Sequence, residues 1–368
     1  MAIALEISSL LVPALSGVGV YGNALIEELR SRELADSLHG VYRFGRRTRL
    51  LGKAPAGLPR RPYLGGQLLH RYYPVLHALD TRFPTAYRGR LVATLFDMLS
   101  LLPEAGDLEL APPRFRAKKL RQYRAIAKHA RVIISISEDT RRRFLEAFGS
   151  HDDNRSRTDH RVVYPGVNAA FRPEAADPER LRELGLSEHP YVLFVGELCR
   201  KKNLEAVADV FLRVQRQQKD LRLVLVGRPS YGWKGSKAES VISAHSDVIE
   251  MLGFRPLTDL AAIYAGARAF LFLSHYEGFG LPVLEAMASG APVIASNRGG
   301  IPEAVGEAGL LVDPGDIDAV TDRLRTVLYR PRESDRLRAE GLARARQFSW
   351  DRTATSVAAV YRQVVSEA

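Results

Sequence analysis

Short apolar runs alternate with amphipathic helical stretches along the chain, and the whole alternation occurs twice. A buried parallel strand reads as a short continuous apolar run, and repeated alternation with helices is typical of a doubly wound sheet. The predicted strands are Ile3–Ile7, Gly40–Phe44, Pro74–His77, Leu91–Leu95, Arg131–Ser135, Arg161–Tyr164, Tyr191–Val195, Leu221–Val226, Val248–Met251, Ala269–Leu273, Pro292–Ala295 and Gly309–Val312. The predicted helices are Val20–Arg30, Arg114–Lys128, Asp139–Phe148, Leu204–Gln217, Thr258–Ala265, Pro282–Ser289 and Ile317–Tyr329. We therefore expect an α/β protein with two doubly wound parallel sheets.

Two glutamates mark the segment 274–315. Glu277 and Glu285 lie eight positions apart around a Gly-Phe-Gly-Leu-Pro turn that follows the predicted strand Ala269–Leu273. Pro282 suits the first helical position, so the turn should open a helix at the carboxyl end of a parallel strand, where open α/β sheets bind ligands. Carboxylates would repel a phosphate there, but they accept hydrogen bonds from hydroxyls such as those of a ribose and a hexose. The pattern predicts a nucleotide-sugar site.

A basic segment, Arg200-Lys201-Lys202-Asn203, follows the predicted strand Tyr191–Val195 and precedes a predicted helix. Asn203 is a natural N-cap for that helix. Cations placed before a helix N-terminus add side-chain charge to the helix dipole and can hold a diphosphate. A departing nucleoside diphosphate gains negative charge as its bond to the sugar breaks. Cations fixed there would therefore stabilise the transition state more than the ground state.

A Gly-x-Gly-x-x-Gly sequence occupies Gly17–Gly22 and leaves a second interpretation open. As a dinucleotide fingerprint it needs an acidic residue at the end of the second strand, to hold the ribose. That strand, Gly40–Phe44, ends among arginines instead, which would suit the 2′-phosphate of NADP. An NAD(P)-dependent oxidoreductase is thus an alternative, although no hydride-transfer acid/base pair is evident in the second half. We prefer the nucleotide-sugar interpretation of the segment 274–315 to this one.

Length and charge narrow the class of protein. The 368 residues suit two domains of ordinary size, and the single cysteine, Cys199, fits a reducing compartment. No apolar run approaches the roughly 20 residues that span a bilayer, so we expect a cytoplasmic protein. Residues 1–170 contain 27 Lys and Arg against 16 Asp and Glu, and they account for the whole net charge of +11. This asymmetry predicts an anionic partner for the first half, either a phospholipid surface, a lipid diphosphate or a nucleic acid.

No nucleic-acid-binding motif accompanies the basic half, so we expect no nucleic-acid partner. The basic residues of Arg141–Arg143 and of the helix around Lys118–Arg124 are the predicted contacts with an anionic membrane. A non-catalytic membrane-binding protein is a further alternative, but it would have no need for the paired glutamates. The chain offers no convincing metal-ligand cluster, and no metal or other cofactor is expected.

The segment 277–285 resembles the signature of the retaining glycosyltransferases of the GT-B fold, family 4. That signature is a glutamate, seven residues and a second glutamate, with Phe-Gly-Leu-Pro between them. The resemblance extends over most of the chain and is strongest to bacterial mannosyl- and rhamnosyltransferases of surface polysaccharide synthesis. It implies two Rossmann-like domains facing each other across a cleft. The acceptor domain would comprise residues 1–168 and 348–368, with a C-terminal helix that crosses back, and the nucleotide-sugar domain would comprise 169–347.

The resemblance also assigns roles residue by residue. It implies catalytic roles for Lys202, Glu277 and Asp97. It implies donor-binding roles for Gly17, Gly19, Arg200, Lys201, Lys202, Glu277, Phe279, Gly280, Leu281 and Glu285. It implies acceptor-side roles for His77, Asp97, Ser137 and Glu138. The chain departs from the family at three positions, because Glu197 and Lys201 stand where many members have arginine and Phe96 stands where they have histidine. Both Glu197 and Lys201 weaken the expected binding of phosphate, since neither can bind it in two places as arginine does. Lysine binds phosphate only as a point charge.

The implied reaction is the retaining, metal-independent transfer of a hexose from a nucleoside-diphosphate sugar. A GDP-linked donor carrying mannose or a 6-deoxyhexose is favoured. The implied acceptor is a glycan or a polyprenyl-diphosphate-linked glycan, used in polysaccharide or lipopolysaccharide synthesis at the inner face of the cytoplasmic membrane.

Overall fold

The computed structural model describes residues 2–11, 17–32, 34–45, 57–103, 108–149 and 158–367. It divides the chain into two compact units. Unit 1 contains Met1–Leu101, Arg114–Gly166 and Ser349–Ala368, and unit 2 contains Leu102–Pro113 and Val167–Phe348. The sequence predicted residues 102–113, 167–168 and 348 for the first domain, and the structure groups all of them with unit 2. Within residues 102–113, Glu109 forms an ion pair with Arg200 of unit 2.

Unit 1 is built on a seven-stranded sheet in which every pairing is parallel, in the order β3-β2-β1-β4-β5-β6-β7. Its strands are β1 (Ile3–Glu6), β2 (Leu38–Arg43), β3 (Arg60–Tyr63), β4 (Val75–Ala78), β5 (Arg90–Leu95), β6 (Ala130–Ser135) and β7 (Asp159–Val162). Its helices are α1 (Gly17–Arg30), α2 (Leu69–Tyr72), α3 (Pro113–His129, whose first residue falls in unit 2), α4 (Glu138–Phe148) and, at the C-terminus, α13 (Trp350–Ser366). The order of the strands changes direction between β1 and β4, which is where such sheets bind ligands.

Two features of unit 1 differ from the sequence prediction. Strand β3, with the sequence Arg-Arg-Pro-Tyr, was missed because three of its four residues are exposed and it pairs on one side only. Helix α1 begins at Gly17 rather than at Val20, so Gly17 and Gly19 lie in the first turn of a helix and not in a loop. The exposed strand β3 therefore lacks the apolar run from which the other strands were predicted.

Unit 2 contains a six-stranded sheet, also with every pairing parallel, in the order β10-β9-β8-β11-β12-β13. Its strands are β8 (Tyr191–Val195), β9 (Arg222–Val226), β10 (Ile249–Gly253), β11 (Ala269–Phe272), β12 (Val293–Ser296) and β13 (Leu310–Val312). Its helices are α5 (Pro178–Glu183), α6 (Leu204–Gln215), α7 (Lys237–Ala244), α8 (Leu257–Gly266), α9 (Leu281–Ala288), α10 (Ile301–Val305), α11 (Ile317–Tyr329) and α12 (Pro331–Ala345). Here the strand order changes direction between β8 and β11, the two strands that precede the predicted basic and acidic segments.

Helix α13 belongs to unit 1, although it follows unit 2 in sequence. Ser349 caps its N-terminus by accepting a hydrogen bond from the Arg352 amide at 3.2 Å. The Thr353 hydroxyl donates to the Tyr164 carbonyl at 2.8 Å, which ties the helix to the end of the first unit's sheet region. Within the described part of the chain, no helix is both long enough and apolar enough to cross a membrane.

Candidate functional site

The basic segment forms a tight turn at the carboxyl end of β8. Arg200–Lys202 make one turn of 3-10 helix, and Asn203 follows in the left-handed conformation, with φ of 53° and ψ of 46°. Asn203 does not cap α6 with its side chain as expected, since that side chain instead donates to the Pro314 carbonyl at 3.3 Å. Asparagine tolerates positive φ better than most residues, so Asn203 allows the chain to turn sharply into α6.

Glu277 lies between the two lysines of this turn. Its Oε1 accepts from Lys202 Nζ at 2.7 Å, and its Oε2 accepts from Lys201 Nζ at 3.1 Å. Lys202 is only 8% exposed, and its Nζ also lies 4.6 Å from the centre of the Phe272 ring. A second link joins the two loops, because the His275 amide donates to the Lys201 carbonyl at 2.9 Å. Three of the predicted site residues thus come together at the switch point of the sheet.

The electrostatics of Glu277 follow from this arrangement. Burial by itself would raise the pKa of its carboxyl, but the charges and hydrogen bonds of Lys201 and Lys202 outweigh burial and lower the pKa to about 2. Glu277 is therefore ionised at neutral pH. The cluster of one carboxylate and two ammonium groups carries a net positive charge, which attracts a phosphate.

The backbone around Glu277 is held by a second glycine-rich turn. The Gly300 amide donates to the Glu277 carbonyl at 2.8 Å. A Cβ on Gly299 would lie 2.2 Å from that same carbonyl oxygen, and a Cβ on Gly300 would lie 2.3 Å from the Gly278 carbonyl oxygen. Only glycine allows this approach, so the segment 299–300 is part of the support that fixes the orientation of Glu277.

Helix α9 starts directly after this loop. Gly280 precedes it with φ of 113°, and Leu281 is its first residue, one position earlier than predicted. The side chain of Phe279 is buried and packs against Phe348 with ring centroids 5.6 Å apart. The Phe279 side chain therefore has a packing role, and any contact of Phe279 with a phosphate or sugar would come from its backbone.

Glu285 lies one turn into α9 and is half-buried. Its Oε2 accepts a hydrogen bond at 3.0 Å from the hydroxyl of Tyr264, a fully buried residue of α8. Burial raises the pKa of Glu285 to about 7, and the Tyr264 hydrogen bond and the charge of Lys202 offset it only in part. Sequence reasoning missed Tyr264, because a tyrosine in an apolar helix looks like an ordinary core residue.

Arg200, the third predicted cation, does not join Glu277. Its Nη1 donates to Glu109 Oε2 at 2.7 Å, and both side chains are exposed. The sequence predicted that all three cations gather at one place, but only Lys201 and Lys202 contact Glu277. Arg200 does not, because successive residues of a tight helical turn point in different directions.

His77 belongs to the core of unit 1 and not to an acceptor site. It is fully buried, with Nδ1 at 2.6 Å from the Tyr361 hydroxyl and Nε2 at 2.8 Å from the Thr94 hydroxyl. Burial lowers its pKa to about 3, so the ring is neutral. Both ring nitrogens already have hydrogen-bond partners, so neither is left to bind a glycan acceptor. His77 instead connects α13 to the sheet.

The other predicted residues of unit 1 have local partners. Asp97 follows β5, is half-buried, and accepts from the Leu99 amide at 3.1 Å. Ser137 is buried and caps α4, since its hydroxyl oxygen accepts from the Thr140 amide at 3.0 Å. Glu138 is exposed and forms an ion pair with Arg141 at 2.7 Å. These contacts account for Ser137 as a helix cap, whereas the roles of Asp97 and Glu138 stay predictions.

A buried carboxyl at the end of β1 was missed altogether. Glu6 is fully buried and accepts hydrogen bonds from the Ser8 hydroxyl at 2.5 Å and from the Tyr63 hydroxyl at 3.0 Å. Burial raises its pKa, against these hydrogen bonds and the charges of Arg82 and Arg43. Glu6 is the last residue of β1, at the carboxyl end of the strand, where open α/β sheets bind ligands. It follows three apolar residues, so the sequence pattern indicated a strand residue and not a candidate site residue.

No group of three or more His, Cys, Asp or Glu side chains in the described ranges is arranged to hold a metal ion.

Comparison with known proteins identifies the family. Residues 177–344 match the family described as Glycosyl transferases group 1, and this range includes the basic turn and both glutamates. The O-antigen chain mannosyltransferase B of Escherichia coli is 30% identical over 261 residues, which are 68% of this chain and 66% of that protein. The chain belongs to the group 1 glycosyl transferases. The resemblance noted from the residues Glu277–Glu285 is thereby confirmed.

Some relatives of this group 1 glycosyl transferase are named for a different activity. A D-inositol 3-phosphate glycosyltransferase of Corynebacterium efficiens is 34% identical over 218 residues, 56% of this chain and 51% of that protein. The chain thus aligns with between about half and two thirds of the length of these two relatives. Sucrose-phosphate synthase from Thermosynechococcus elongatus has the same fold, with a TM-score of 0.76, 22% identity and complete coverage of both chains. The fold is GT-B, as predicted.

Proposed function

We propose that this group 1 glycosyl transferase moves a hexose from a nucleoside-diphosphate sugar to a glycan acceptor, with retention of anomeric configuration and without a metal ion. The observation that carries the proposal is the pairing of Lys201 and Lys202 on Glu277 at the opening of the helix that holds Glu285. Two ammonium groups beside two carboxylates suit a nucleoside-diphosphate sugar. The diphosphate of such a ligand is anionic, and the ribose and hexose on either side of it carry hydroxyls.

The proposed reaction uses no external base. The bond between the sugar C1 and the diphosphate oxygen breaks, and the diphosphate leaves with the electron pair. The acceptor oxygen forms a bond to C1 on the same face, and its proton passes to the departing diphosphate. Lys202 and Lys201 stabilise the charge that develops on the diphosphate, in place of a metal. Glu277 orients the hexose, and Glu285 accepts hydrogen bonds from the ribose hydroxyls.

The proposed donor is GDP-linked and carries mannose or a 6-deoxyhexose. Support comes from the name of the Escherichia coli relative, a mannosyltransferase. The inositol 3-phosphate glycosyltransferases among the relatives are the reason to test other acceptors and donors as well.

A panel of nucleotide sugars tests the proposal. The protein is incubated with GDP-, UDP-, dTDP- and ADP-linked hexoses, with and without EDTA, and released nucleoside diphosphate is measured. We expect slow hydrolysis of GDP-mannose or a GDP-6-deoxyhexose, unchanged by EDTA. A complete loss of activity with EDTA that added metal restores would contradict the metal-independent mechanism. Hydrolysis of none of the donors, together with oxidation of NADPH, would favour the oxidoreductase alternative.

The affinity for GDP should depend on pH through Glu285. Its pKa is raised to about 7, and ribose hydroxyls donate to the ionised form, so binding below that pH must first remove a proton. Affinity measured by calorimetry should therefore rise as the pH approaches about 7 and level off above it. Glu285→Gln should lose this rise and weaken binding by about 1.5–3 kcal/mol, the worth of a charged hydrogen bond. The exposed Glu307→Gln serves as control, and its profile should follow the wild type, including any titration of GDP itself.

We also propose that unit 1 contacts an anionic membrane, which would carry the lipid-linked acceptor. Helix α3 supports this, since it has no acidic residue in 17 positions. Its exposed cations are Arg114, Lys118, Arg121, Arg124 and Lys128. Their spacing places these five cations on one side of the helix. None of the five forms an ion pair with a described residue.

Helix α4, the other predicted contact, is less suited to this role. Arg141 pairs with Glu138, Arg142 pairs with Asp139 and Glu146, and Arg143 pairs with Asp139, all at 2.7–2.9 Å. The charges of its three arginines are thus balanced by neighbours one turn away.

Two variants with the same change in charge distinguish the helices. Arg121→Ala with Arg124→Ala on α3 should weaken binding to phosphatidylglycerol vesicles about thirtyfold at low salt, since each surface cation contributes about 1 kcal/mol. Arg141→Ala with Arg142→Ala on α4 should have a much smaller effect. Cosedimentation gives both values. Equal effects of the two pairs would contradict the assignment to α3, and no binding at low ionic strength would favour a soluble acceptor.

A further inference from the structure

A cleft of about 410 Å³ opens in unit 2 beside the basic turn. Its described lining does not include Lys201, Lys202, Glu277 or Glu285. Its walls come from the starts of α6 and α7, from Arg200 and from His275. Arg200 directly precedes Lys201, and His275 lies two residues before Glu277. The cleft and the Lys–Glu cluster are therefore built on the same pair of loops, which are joined by the hydrogen bond from the His275 amide to the Lys201 carbonyl.

The rim of this cleft is electrically balanced. Arg200 is paired with Glu109, and Lys237 is paired with Glu205, which lines the cleft with it. Two cations with two matched carboxylates favour an uncharged ligand over a phosphate, because an added anion would have to displace an existing partner. This distinguishes the cleft from the Lys201–Lys202 cluster, where two cations share one carboxylate.

The interior combines apolar and polar surface. Trp233 and Leu204 line the cleft and are themselves almost completely buried, so they form a rigid apolar wall. His275 and Asn203 line it with polar groups. Burial, with a smaller contribution from Arg298, lowers the pKa of His275, so its ring is neutral and offers one hydrogen-bond donor and one acceptor. An apolar wall beside groups that both donate and accept matches a sugar ring, which has a C–H face and a border of hydroxyls. The volume lies at the lower end of the range for small-molecule sites.

We infer that this cleft is an acceptor subsite that holds a neutral sugar residue of the glycan acceptor. The inference rests on the proposed function, because a retaining transfer brings the acceptor hydroxyl in on the face from which the diphosphate leaves. An acceptor subsite must then adjoin the phosphate-binding residues, and Arg200 is the direct neighbour of Lys201. The acceptor is thus bound in part by the unit that binds the donor.

A single substitution can fill the cleft without touching the donor site. Ala238 lines it from the first turn of α7, and Ala238→Leu adds three carbons there on a residue that favours helix. Ala244→Leu is the matched control, since it makes the same change at an exposed position at the other end of the same helix.

Saturation-transfer NMR with methyl α-mannoside, methyl α-glucoside and myo-inositol, each added to the GDP-bound protein, tests the inference. We expect a signal from at least one of the three in the wild type and in Ala244→Leu, and a signal at least about tenfold weaker in Ala238→Leu. The affinity for GDP, measured by calorimetry, should be equal in all three proteins.

Three outcomes would overturn the inference. The first is that none of the three probes binds to the wild type. The second is that Ala238→Leu binds the probe as well as the control does while Glu277→Ala loses it, because the sugar is then in the hexose position of the donor. The third is a lower GDP affinity in Ala238→Leu alone, which would assign the cleft to the nucleotide. Failure of the proposed function is read separately, from the absence of nucleotide-sugar hydrolysis by the wild type.

Discussion

Lys202→Ala is expected to lower the turnover of the nucleotide sugar by about 10²–10³, the usual cost of removing one preorganised electrostatic donor. Lys202 is almost completely buried, and its ammonium is fixed by Glu277 at 2.7 Å and by the Phe272 ring at 4.6 Å. It therefore needs little rearrangement to meet the charge of the departing diphosphate. Rates of donor hydrolysis, normalised to folded protein by circular dichroism, measure the effect.

The matched control for this change is Lys219→Ala, which removes an exposed lysine of the same unit. Its turnover should equal that of the wild type. Lys201→Ala should have a smaller effect than Lys202→Ala, because the Lys201 ammonium is more exposed and lies farther from Glu277, at 3.1 Å. If folded Lys202→Ala turned over normally while Lys201→Ala did not, Lys201 would be the phosphate anchor.

Glu277→Ala should lower the rate of transfer by at least about 10² and yet leave the affinity for GDP unchanged or higher. Glu277 accepts hydrogen bonds from both lysines, so a bound diphosphate must share these lysines with a carboxylate. Without Glu277 no carboxylate competes with the phosphates for the Lys202 ammonium, but the hexose loses its orienting group, which accounts for the loss of transfer. Calorimetry with GDP and the hydrolysis assay separate the two effects. A parallel loss of GDP affinity and turnover would show that Glu277 does not compete with the phosphates.

The same substitution should also lower the free energy of unfolding by about 3–5 kcal/mol at neutral pH, since it removes the carboxylate that compensates the almost completely buried ammonium of Lys202. The pKa of Glu277 is lowered from 4.5 to about 2, so its stabilising effect is complete above 4.5 and is lost as the pH falls through about 2. The stability difference between wild type and variant should therefore shrink over that acidic range. Glu307→Ala, an exposed change, should show neither effect.

Elements with a strong local pattern could be predicted from the sequence. Twelve apolar runs predicted twelve of the strands, and the helix Ile317–Tyr329 was predicted with its observed bounds. The edge strand Arg60–Tyr63 and the helices Lys237–Ala244 and Pro331–Ala345 were not predicted. Glu277 and Glu285 could be recognised because a strand, a turn and a helix start that are contiguous in sequence fix their positions. The pattern of neighbouring residues is sufficient to predict a residue's position wherever that position depends only on residues nearby in sequence.

Partners far apart in sequence were set by the tertiary structure alone. Lys201 and Lys202 meet Glu277 across 76 and 75 positions, because β8 and β11 are neighbours in the sheet. The Tyr264–Glu285 hydrogen bond depends on how α8 and α9 pack, and the burial of His77 depends on α13 returning to unit 1. The sequence by itself determined the local elements that hold Lys201, Lys202, Glu277 and Glu285, and it predicted these residues for the site. The order of strands in the sheets decided which of them meet and which charges they share, because contacts between distant segments arise only when the sheet brings their ends together.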